Sequence, residues 1–382
     1  MGKRQEERNI MQNEIAQIFA KLVEIDSPSL REHRMAEQIQ KMFGELGIEL
    51  TEDDSAEVTG SDVGNLYAYV PGTLPGGTIL FAAHMDTVMP ANGKKAIFHP
   101  DGKVTSDGTT VLGADDLAAV TAIYEAVKYI KENKMAHRNL ELLFTTGEEL
   151  YCKGAKAFDC KLLKASSVYV PDLSGDIGMA AYAAPSILSF QVTIRGVASH
   201  AGFAPEDGIN AIAAGADAIA SLEQGRIDEN TTANIGCIQG GDGINIVSPE
   251  CIIKGEIRSL HHEKALEVLE AYRQQFEQSA KKFGASIVWE SNVDIKAYET
   301  NPDSEPVRAF CRAAEKAGVM PHLTKTFGGS DNNVFAQYGI EGIVLASAMH
   351  NVHSCEEYTD IQEIKKVTQI LIQLLRVEPT WN

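Results

Sequence analysis

Apolar residues near the start of the chain recur at the spacing of an α-helix. Those between residues 15 and 23 fall on one stripe, and those between residues 35 and 46 form a second. Ser29–Glu32 has the pattern of a capping box, which predicts that the second helix begins there. Gly47 is placed to end that helix. The pattern therefore predicts two amphipathic helices before the first strand.

From residue 64 onward, short apolar runs alternate with segments of helix length. A long amphipathic helix is predicted between the second and third runs. Strands that alternate with helices are typical of an α/β domain with a largely parallel sheet and helices on both faces, a three-layer architecture. The predicted strands are Asn65–Val70, Thr78–Ala83, Leu140–Thr146, Ser167–Val170 and Gly342–Ser347.

Residues 187–297 follow a different order of elements, β-α-β-β-α-β, which is that of a ferredoxin-like α+β sandwich. We therefore predict an inserted lid domain at 187–297 within a discontinuous catalytic domain, 1–186 and 298–382. The elements predicted in the insert are strand Ile187–Ile194, helix Asn210–Leu222, strands Thr231–Gln239 and Cys251–Ser259, helix Lys264–Phe283 and strand Ala285–Asp294.

The charge composition of the chain argues against two classes of binding partner. The chain has 34 Lys and Arg against 53 Asp and Glu, a formal net charge of −19. Binding to nucleic acid or to an anionic membrane relies on clustered cations, so neither is expected as a partner. An excess of carboxylates is compatible with a soluble enzyme and can serve metals.

The cysteines and the apolar runs of the sequence indicate in which cellular compartment the protein is expected. The six cysteines form no C-x-x-C pair, and we expect reduced thiols in a reducing compartment. The first residues are polar and then amphipathic, without the apolar core of a signal peptide. No apolar run approaches the ~18–20 residues that span a bilayer. We therefore expect a cytoplasmic protein.

The candidate chemistry collects where predicted strands end. Four strands run directly into His, Asp or Glu residues, and a helix start adds an aspartate pair. Ligands of open α/β sheets bind outside the carboxyl ends of the strands, so these side chains are expected at one edge. They are His84 and Asp86, Asp115 and Asp116, Glu148 and Glu149, Asp172, and His350 with His353.

So many carboxylates would raise one another's pKa unless cations neutralise them. Two His and several carboxylates suit zinc, with cobalt or manganese as substitutes. Two metal ions would gain from one carboxylate that bridges them. We therefore expect one or two divalent metal ions at this edge.

Each residue also has a purely structural interpretation. His84 and Asp86 could be a buried hydrogen-bonded pair, and Asp115 could be a charge favoured by a helix dipole. Glu148 and Glu149 could lie in a solvated turn. The coincidence of all of them favours metal chemistry. The sequence has neither a G-x-S-x-G elbow nor a phosphate-binding G-x-x-x-x-G-K-[ST] loop.

Longer motifs extend over nearly the whole chain in order. With them the sequence resembles the dinuclear zinc exopeptidases that include peptidase T, carboxypeptidase G and aminoacylases, and most of all the peptidase T-like branch. The motifs are HMDT at 84–87, TSDGTTVLGADD at 105–116, GEE at 147–149, KGAKAFD at 153–159, SHAG at 199–202, IRS at 257–259, GGSD at 328–331 and NVHS at 351–354.

The resemblance implies a role for each candidate ligand. His84 and Asp172 would hold one metal ion, and Glu149 and His353 the other. Asp115 would bridge the two ions, with a cis peptide bond to the next residue.

The resemblance also implies two further residues at the centre. Asp86 would orient His84 through its other ring nitrogen. Glu148 would be the general base that takes a proton from the attacking water. The chain departs from peptidase T at Gly147, where an Asp is usual, and at Leu117, where a Lys is frequent.

For the insert, the resemblance implies a lid that contacts substrate. His200 would stabilise the oxyanion, in some relatives from the neighbouring subunit. Arg258 would bind the substrate's C-terminal carboxylate, which matches the planar guanidinium. Asn245 is a weaker candidate for a substrate contact. A homodimer through the lid is implied as well.

The function implied by the resemblance is metal-dependent hydrolysis of the N-terminal peptide bond of short peptides, as in a tripeptide aminopeptidase. A carboxypeptidase or an N-acyl amino acid amidohydrolase would use the same metals on other substrates. A peptide-binding protein that has lost its activity is the alternative outside enzymology.

Overall fold

The computed structural model of the protein describes residues 14–376. The remaining ends of the predicted catalytic domain, 1–13 and 377–382, lie outside the described residues, as does the N-terminal sequence used to predict location. The chain divides into two compact units. The first comprises the chain up to Ala183, Glu299–Thr326, and the chain from Ser330 onward; the second comprises Ala184–Tyr298 and Phe327–Gly329.

Helices and strands alternate along most of the described chain. The helices are α1 (residues 14–23), α2 (His33–Glu45), α3 (Ser55–Thr59), α4 (Ala114–Glu132), α5 (Lys153–Ala157), α6 (Ala211–Ser221), α7 (His262–Phe283), α8 (Glu305–Lys316), α9 (Asn332–Gln337) and α10 (Ile361–Arg376). The strands are β1 (Thr51–Glu52), β2 (Leu66–Val70), β3 (Thr78–His84), β4 (Ile97–Phe98), β5 (Lys103–Thr105), β6 (Leu140–Thr145), β7 (Ala165–Leu173), β8 (Met179–Ala184), β9 (Ser186–Arg195), β10 (Gly225–Asp228), β11 (Thr231–Gly240), β12 (Glu250–Ser259), β13 (Ser286–Ile295), β14 (Tyr298–Glu299), β15 (His322–Lys325), β16 (Glu341–Ala346) and β17 (Tyr358–Asp360).

The first unit is built on one sheet of strand order β1-β2-β6-β3-β7-β16-β8-β14, with β15 beside β8. Its four central strands, β6, β3, β7 and β16, are parallel, whereas β2 and β8 pair antiparallel with the strands inside them. Every residue of β3 and β6 is buried, as expected for central parallel strands covered on both faces. The parallel centre places the carboxyl ends of β3, β6, β7 and β16 at one edge.

Two groups of helices cover this sheet. Helix α10 packs against both α4 and α8, and α5 packs against both α3 and α9. Members of both groups contact β7, since α4 and α8 do so from one group and α9 from the other. Phe43 of α2 packs edge-on against Tyr124 of α4 and also against Phe144 of β6. The apolar stripes read from the sequence therefore form one continuous core.

The second unit is an antiparallel sheet of order β10-β11-β12-β9-β13, with α6 and α7 packed on it. Without the short edge strand β10, this is the strand order of the β-α-β-β-α-β sandwich. Alternate residues of β9 are buried in its core, from Leu188 to Ile194. The predicted fold class, an α/β domain with an inserted ferredoxin-like unit, is confirmed.

One detail of the sequence interpretation is wrong, and one small sheet was not predicted. Helix α2 begins at His33, and the Ser29–Glu32 segment does not cap it; both side chains bind elsewhere. The short strands β4, β5 and β17, which form a small separate sheet, carry too few residues to show a period. Among residues 14–376, no helix combines the length and apolar character needed to cross a bilayer.

The second unit offers a stability test at a glycine. A methyl group on Gly255 would lie 2.4 Å from the carbonyl oxygen of Asn234 and 2.5 Å from Cζ of Phe190. Because that carbonyl belongs to the paired strand β11, we expect Gly255→Ala to lower the free energy of unfolding by about 1–3 kcal/mol. Gly236→Ala, whose methyl would only touch a side-chain nitrogen at 3.5 Å, should change it by about 0.5 kcal/mol or less.

Urea unfolding, followed by the fluorescence of Trp289 stacked on Phe190, measures both variants. Equal midpoints for the two would contradict the expected clash.

Candidate metal centre

His84 ends strand β3 and is almost fully buried. Its Nδ1 lies 2.9 Å from the main-chain oxygen of Asp86 and 3.4 Å from Oδ1 of the same residue. With the Nδ1 proton donated to that carbonyl oxygen, Nε2 is left with a free lone pair. Nε2 points at Asp115, whose Oδ1 is 3.0 Å away. The strand end therefore presents His84 as a candidate metal ligand.

Asp86 is fully buried and fixes the turn that follows β6. Its Oδ1 accepts a hydrogen bond from the backbone N–H of Glu148 at 2.9 Å, and its Oδ2 accepts one from that of Glu149 at 3.3 Å. Oδ2 also accepts a 2.7 Å bond from the hydroxyl of Ser29. One carboxylate thus ties the end of β3 to the turn that carries the two glutamates.

Asp115 stands between two histidines. Its Oδ1 faces Nε2 of His84 at 3.0 Å, and its Oδ2 faces Nε2 of His353 at 3.4 Å. The peptide bond from Asp115 to Asp116 is cis, as expected. Burial alone would raise the pKa of Asp115, but the two neighbouring histidines, His353 and His84, outweigh it and hold that pKa below the ordinary value. Each carboxylate oxygen of Asp115 therefore faces a different imidazole ring.

Glu149 and His353 form the outer side of the cluster. Nε2 of His353 lies 3.0 Å from one carboxylate oxygen of Glu149 and 3.1 Å from the other. His353 follows β16 with a positive φ of 60°. Hydrogen bonding to Asp115 and Glu149 raises the pKa of His353 to about 10. The imidazole of His353 thus lies between the carboxylates of Asp115 and Glu149, and both favour its protonated form.

The structure brings the predicted centre together within the first unit. In several sets of three side chains, each side chain offers one ligand atom within 4.8 Å of the other two, which is close enough for one metal ion to contact all three. The sets are His84 with Glu148 and Asp172, His84 with Asp115 and Glu149, Asp115 with Asp116 and Asp172, and Glu148 with Cys152 and Asp331.

Negative charge is in excess at this edge. Burial raises the pKa of Glu148, and the charge of Asp172 raises it further. The pKa of Asp172 is likewise raised by burial and then by Asp115 and Asp116. Oδ1 of Asp116 is buried without a hydrogen-bond partner in the described chain. Carboxylates that repel one another beside two histidines match the donor set of divalent metal ions.

The sequence interpretation missed an outer layer of carboxylates. Glu32 is fully buried, and its Oε1 accepts hydrogen bonds from the backbone N–H of Gly147 at 2.8 Å and of Leu30 at 2.9 Å. Its Oε2 accepts one from the hydroxyl of Ser61 at 2.8 Å. Because the spacing of Ser29 and Glu32 fits a capping box, the sequence interpretation assigned Glu32 to a helix cap and not to the turn at Gly147.

Glu357 and Asp331 belong to the same outer layer. Glu357 accepts hydrogen bonds from the backbone N–H groups of Gly113 at 2.7 Å and Asp115 at 2.9 Å, and burial raises its pKa to about 7. Asp331 accepts a 2.5 Å bond from the hydroxyl of Thr145. The GGSD motif was a signal for Asp331, whereas no local pattern pointed to Glu357.

His200 and Asn245 are neighbours in the second unit. Nδ1 of His200 accepts the backbone N–H groups of Gly202 and Phe203 at 3.1 and 3.2 Å, and its ring stacks on that of Phe203. The main-chain oxygen of Asn245 accepts the N–H of Ala201 at 2.9 Å. With Nδ1 occupied as an acceptor, the His200 proton resides on Nε2.

Arg258 lies on β12 of the same unit. Its Nε and Nη2 donate to the two carboxylate oxygens of Glu256 at 2.8 and 3.1 Å. Its Nη1 donates to the main-chain oxygen of Phe327 at 3.0 Å. The guanidinium of Arg258, which is predicted to bind a substrate carboxylate, binds the carboxylate of Glu256 in this structure. This pairing shows that its planar geometry matches a carboxylate.

Comparisons with known proteins place the chain in a family. The profile of the family described as "Peptidase family M28" matches residues 65–177, and that described as "Peptidase dimerisation domain" matches residues 182–284. The chain is 26% identical to the peptidase T of Clostridium novyi, over 90% of this chain and 91% of the other.

Two solved structures are more similar. The aminopeptidase PepT of Bacillus cereus is 39% identical, with 95% of this chain and 98% of the other covered and a TM-score of 0.88. A tripeptidase of Staphylococcus aureus is 30% identical, with coverage of 96% and 98% and a TM-score of 0.92. Similarity of this extent, over nearly the full length of both chains, shows that this chain belongs to the peptidase T-like family of exopeptidases.

Proposed function

We propose that this protein is a metal-dependent aminopeptidase that hydrolyses the N-terminal peptide bond of short peptides, tripeptides among them. The observation that carries the proposal is Asp115, whose two oxygens face His84 and His353 on opposite sides. A carboxylate so placed is suited to be shared by two metal ions. The names of the similar aminopeptidase and tripeptidase support the choice of substrate.

The residues present fit two divalent ions, zinc first, with cobalt or manganese as substitutes. His84 and Asp172 would hold one ion, Glu149 and His353 the other, and Asp115 both. Bound ions of this kind polarise a scissile carbonyl and acidify an attacking water. Asp86 contributes by fixing the ring of His84, so that Nε2 keeps its lone pair toward the centre.

Glu148 is proposed as the general base. It is buried beside Glu149, its backbone N–H is held by Asp86, and its Oε1 accepts a 3.3 Å hydrogen bond from the thiol of Cys152. Burial raises its pKa, which strengthens it as a proton acceptor. Glu148 takes the proton of the attacking water and returns it to the leaving amine.

The second unit is proposed to bind substrate and to dimerise. His200, with its proton on Nε2, would stabilise the oxyanion, Arg258 would bind the C-terminal carboxylate, and Asn245 would be a further contact. The match of residues 182–284 to a peptidase dimerisation domain supports a homodimer formed through this unit. A cytoplasmic location is part of the same proposal and can be tested by fractionation of the source cells.

A substrate panel tests the proposed function. Loaded with zinc or cobalt, the protein should release the N-terminal residue from free-amine tripeptides and leave N-acetylated tripeptides and N-acyl amino acids intact. A chelator should abolish the activity, and added metal should restore it. Cleavage of the blocked substrates would indicate a carboxypeptidase or an amidohydrolase. Binding of tripeptides without hydrolysis would indicate a peptide-binding protein.

Removal of the proposed base should separate chemistry from metal binding. In Glu148→Gln we expect kcat to fall by about 10²–10⁴-fold while the metal content stays at the level of the unmodified protein. Glu125→Gln is the matched control, because Glu125 is a buried glutamate of α4 outside the candidate ligands. Steady-state kinetics and elemental analysis measure both variants. A near-normal kcat in Glu148→Gln would show that the base is assigned wrongly.

The role of Arg258 can be tested with peptide amides. Arg258→Lys loses the planar fork, so KM for tripeptides should rise about 10-fold or more. KM for the corresponding tripeptide amides, which lack the carboxylate, should stay the same. Arg195→Lys is the control, since Arg195 is an exposed residue of the same unit that pairs with Glu250. An equal rise for acids and amides would exclude carboxylate binding by Arg258.

A further inference from the structure

We propose that Glu357 is a positioning residue for one of the two metal positions, the one formed by Asp115, Glu149 and His353. The inference rests on the proposed function only in taking these side chains as metal ligands. Glu357 contacts none of the proposed reacting groups; it acts through the backbone that carries Asp115.

The side chain of Glu357 is committed to a single turn. It is 1% exposed, and its Oε2 accepts the N–H of Gly113 at 2.7 Å while its Oε1 accepts the N–H of Asp115 at 2.9 Å. Asp115 has a non-helical backbone, with φ −81° and ψ 99°, although it stands at the start of α4. The regular hydrogen bonds of the helix therefore do not set its direction, and the carboxylate of Glu357 does.

Glu357 is also part of the loop that supplies His353. Its own N–H donates to the main-chain oxygen of Ser354 at 3.1 Å, next to His353. Two backbone hydrogen bonds between His350 and Tyr358, each 3.0 Å long, close this loop, and β17 then pairs with β5. One side chain thus connects two candidate ligands that lie far apart in sequence.

The other metal position, formed by His84, Asp172 and Asp115, depends mainly on strands of the central sheet. His84 and Asp172 lie on β3 and β7, which are hydrogen-bonded neighbours in the central sheet. Loss of Glu357 therefore leaves two of the three ligands of that position in place. At the second position it disturbs Asp115 and removes the link between that residue and the loop of His353, whereas Glu149 keeps its anchor on Asp86.

The inference distinguishes a carboxylate from an amide. A carboxylate offers an acceptor oxygen to each of two N–H groups, whereas the side chain of glutamine offers one acceptor and presents its own N–H₂ to the other donor. Glu357→Gln keeps the size of the side chain and converts one hydrogen bond into a contact between two donors. The turn before Asp115 must then shift.

Titration of the chelator-stripped protein with Co²⁺, followed by calorimetry, tests the inference. The unmodified chain should bind two ions. Glu357→Gln should bind the second ion about 10–100-fold more weakly and should lose clearly less affinity for the first, which keeps two of its three ligands in place. The matched control is Glu141→Gln, since Glu141 is fully buried near the start of β6 and its carboxylate also accepts two backbone N–H groups, those of Lys164 at 2.9 Å and Ala165 at 2.8 Å; this variant should bind both ions as the unmodified chain does. Thermal unfolding of the metal-free proteins shows whether each variant is folded.

Two unchanged affinities in Glu357→Gln would overturn the inference, and so would an equal loss at both positions. Glu357→Asp retains a carboxylate with a shorter reach and provides the same test if the glutamine variant does not fold. A weaker second ion in that variant supports the inference, and two unchanged affinities overturn it. Absence of peptide hydrolysis by the unmodified chain would refute the proposed function but leave these ion counts readable.

Discussion

Repulsion among buried carboxylates is the constraint that the candidate metal centre has to satisfy. At one edge of a parallel sheet, Asp115, Glu148 and Asp172 lie close together, and the histidines beside them do not balance their charge. Such a cluster needs partners that supply positive potential, and the chain provides two kinds. Backbone N–H groups donate hydrogen bonds to the outer carboxylates. The inner carboxylates and histidines form a donor set that suits divalent cations.

The outer carboxylates give the centre its rigidity. Asp86, Glu32 and Glu357 each accept backbone N–H groups from a turn that carries a candidate ligand or the proposed base. A carboxylate with both oxygens engaged in this way fixes the direction of a turn more firmly than a single hydrogen bond does. The turns themselves need unusual backbone, as the positive φ angles of Gly147 and His353 show. The candidate ligands therefore depend on carboxylates that bind the backbone of their turns.

The sequence was most informative where burial is continuous. Uninterrupted apolar runs located β3 and β6, and the residues that follow such runs had to meet at one edge of the sheet, which identified the candidate ligands. It was least informative where a side chain binds backbone far along the chain. Glu32 binds Gly147 across 115 residues and Glu357 binds Gly113 across 244. No period or local motif records such a pairing, so Ser29 and Glu32 were read as a helix cap.

The order of the ligands along the chain has a consequence for biosynthesis. His84, Asp115 and Glu149 leave the ribosome before the second unit, whereas His353 follows Glu149 by 204 residues, after the whole second unit. Domains generally begin to fold while translation continues. During that interval the acidic edge exists without the imidazole and the loop that complete it. The nascent polypeptide thus carries an unfinished centre until translation has passed His353, which postpones the proposed peptidase activity at least until that point.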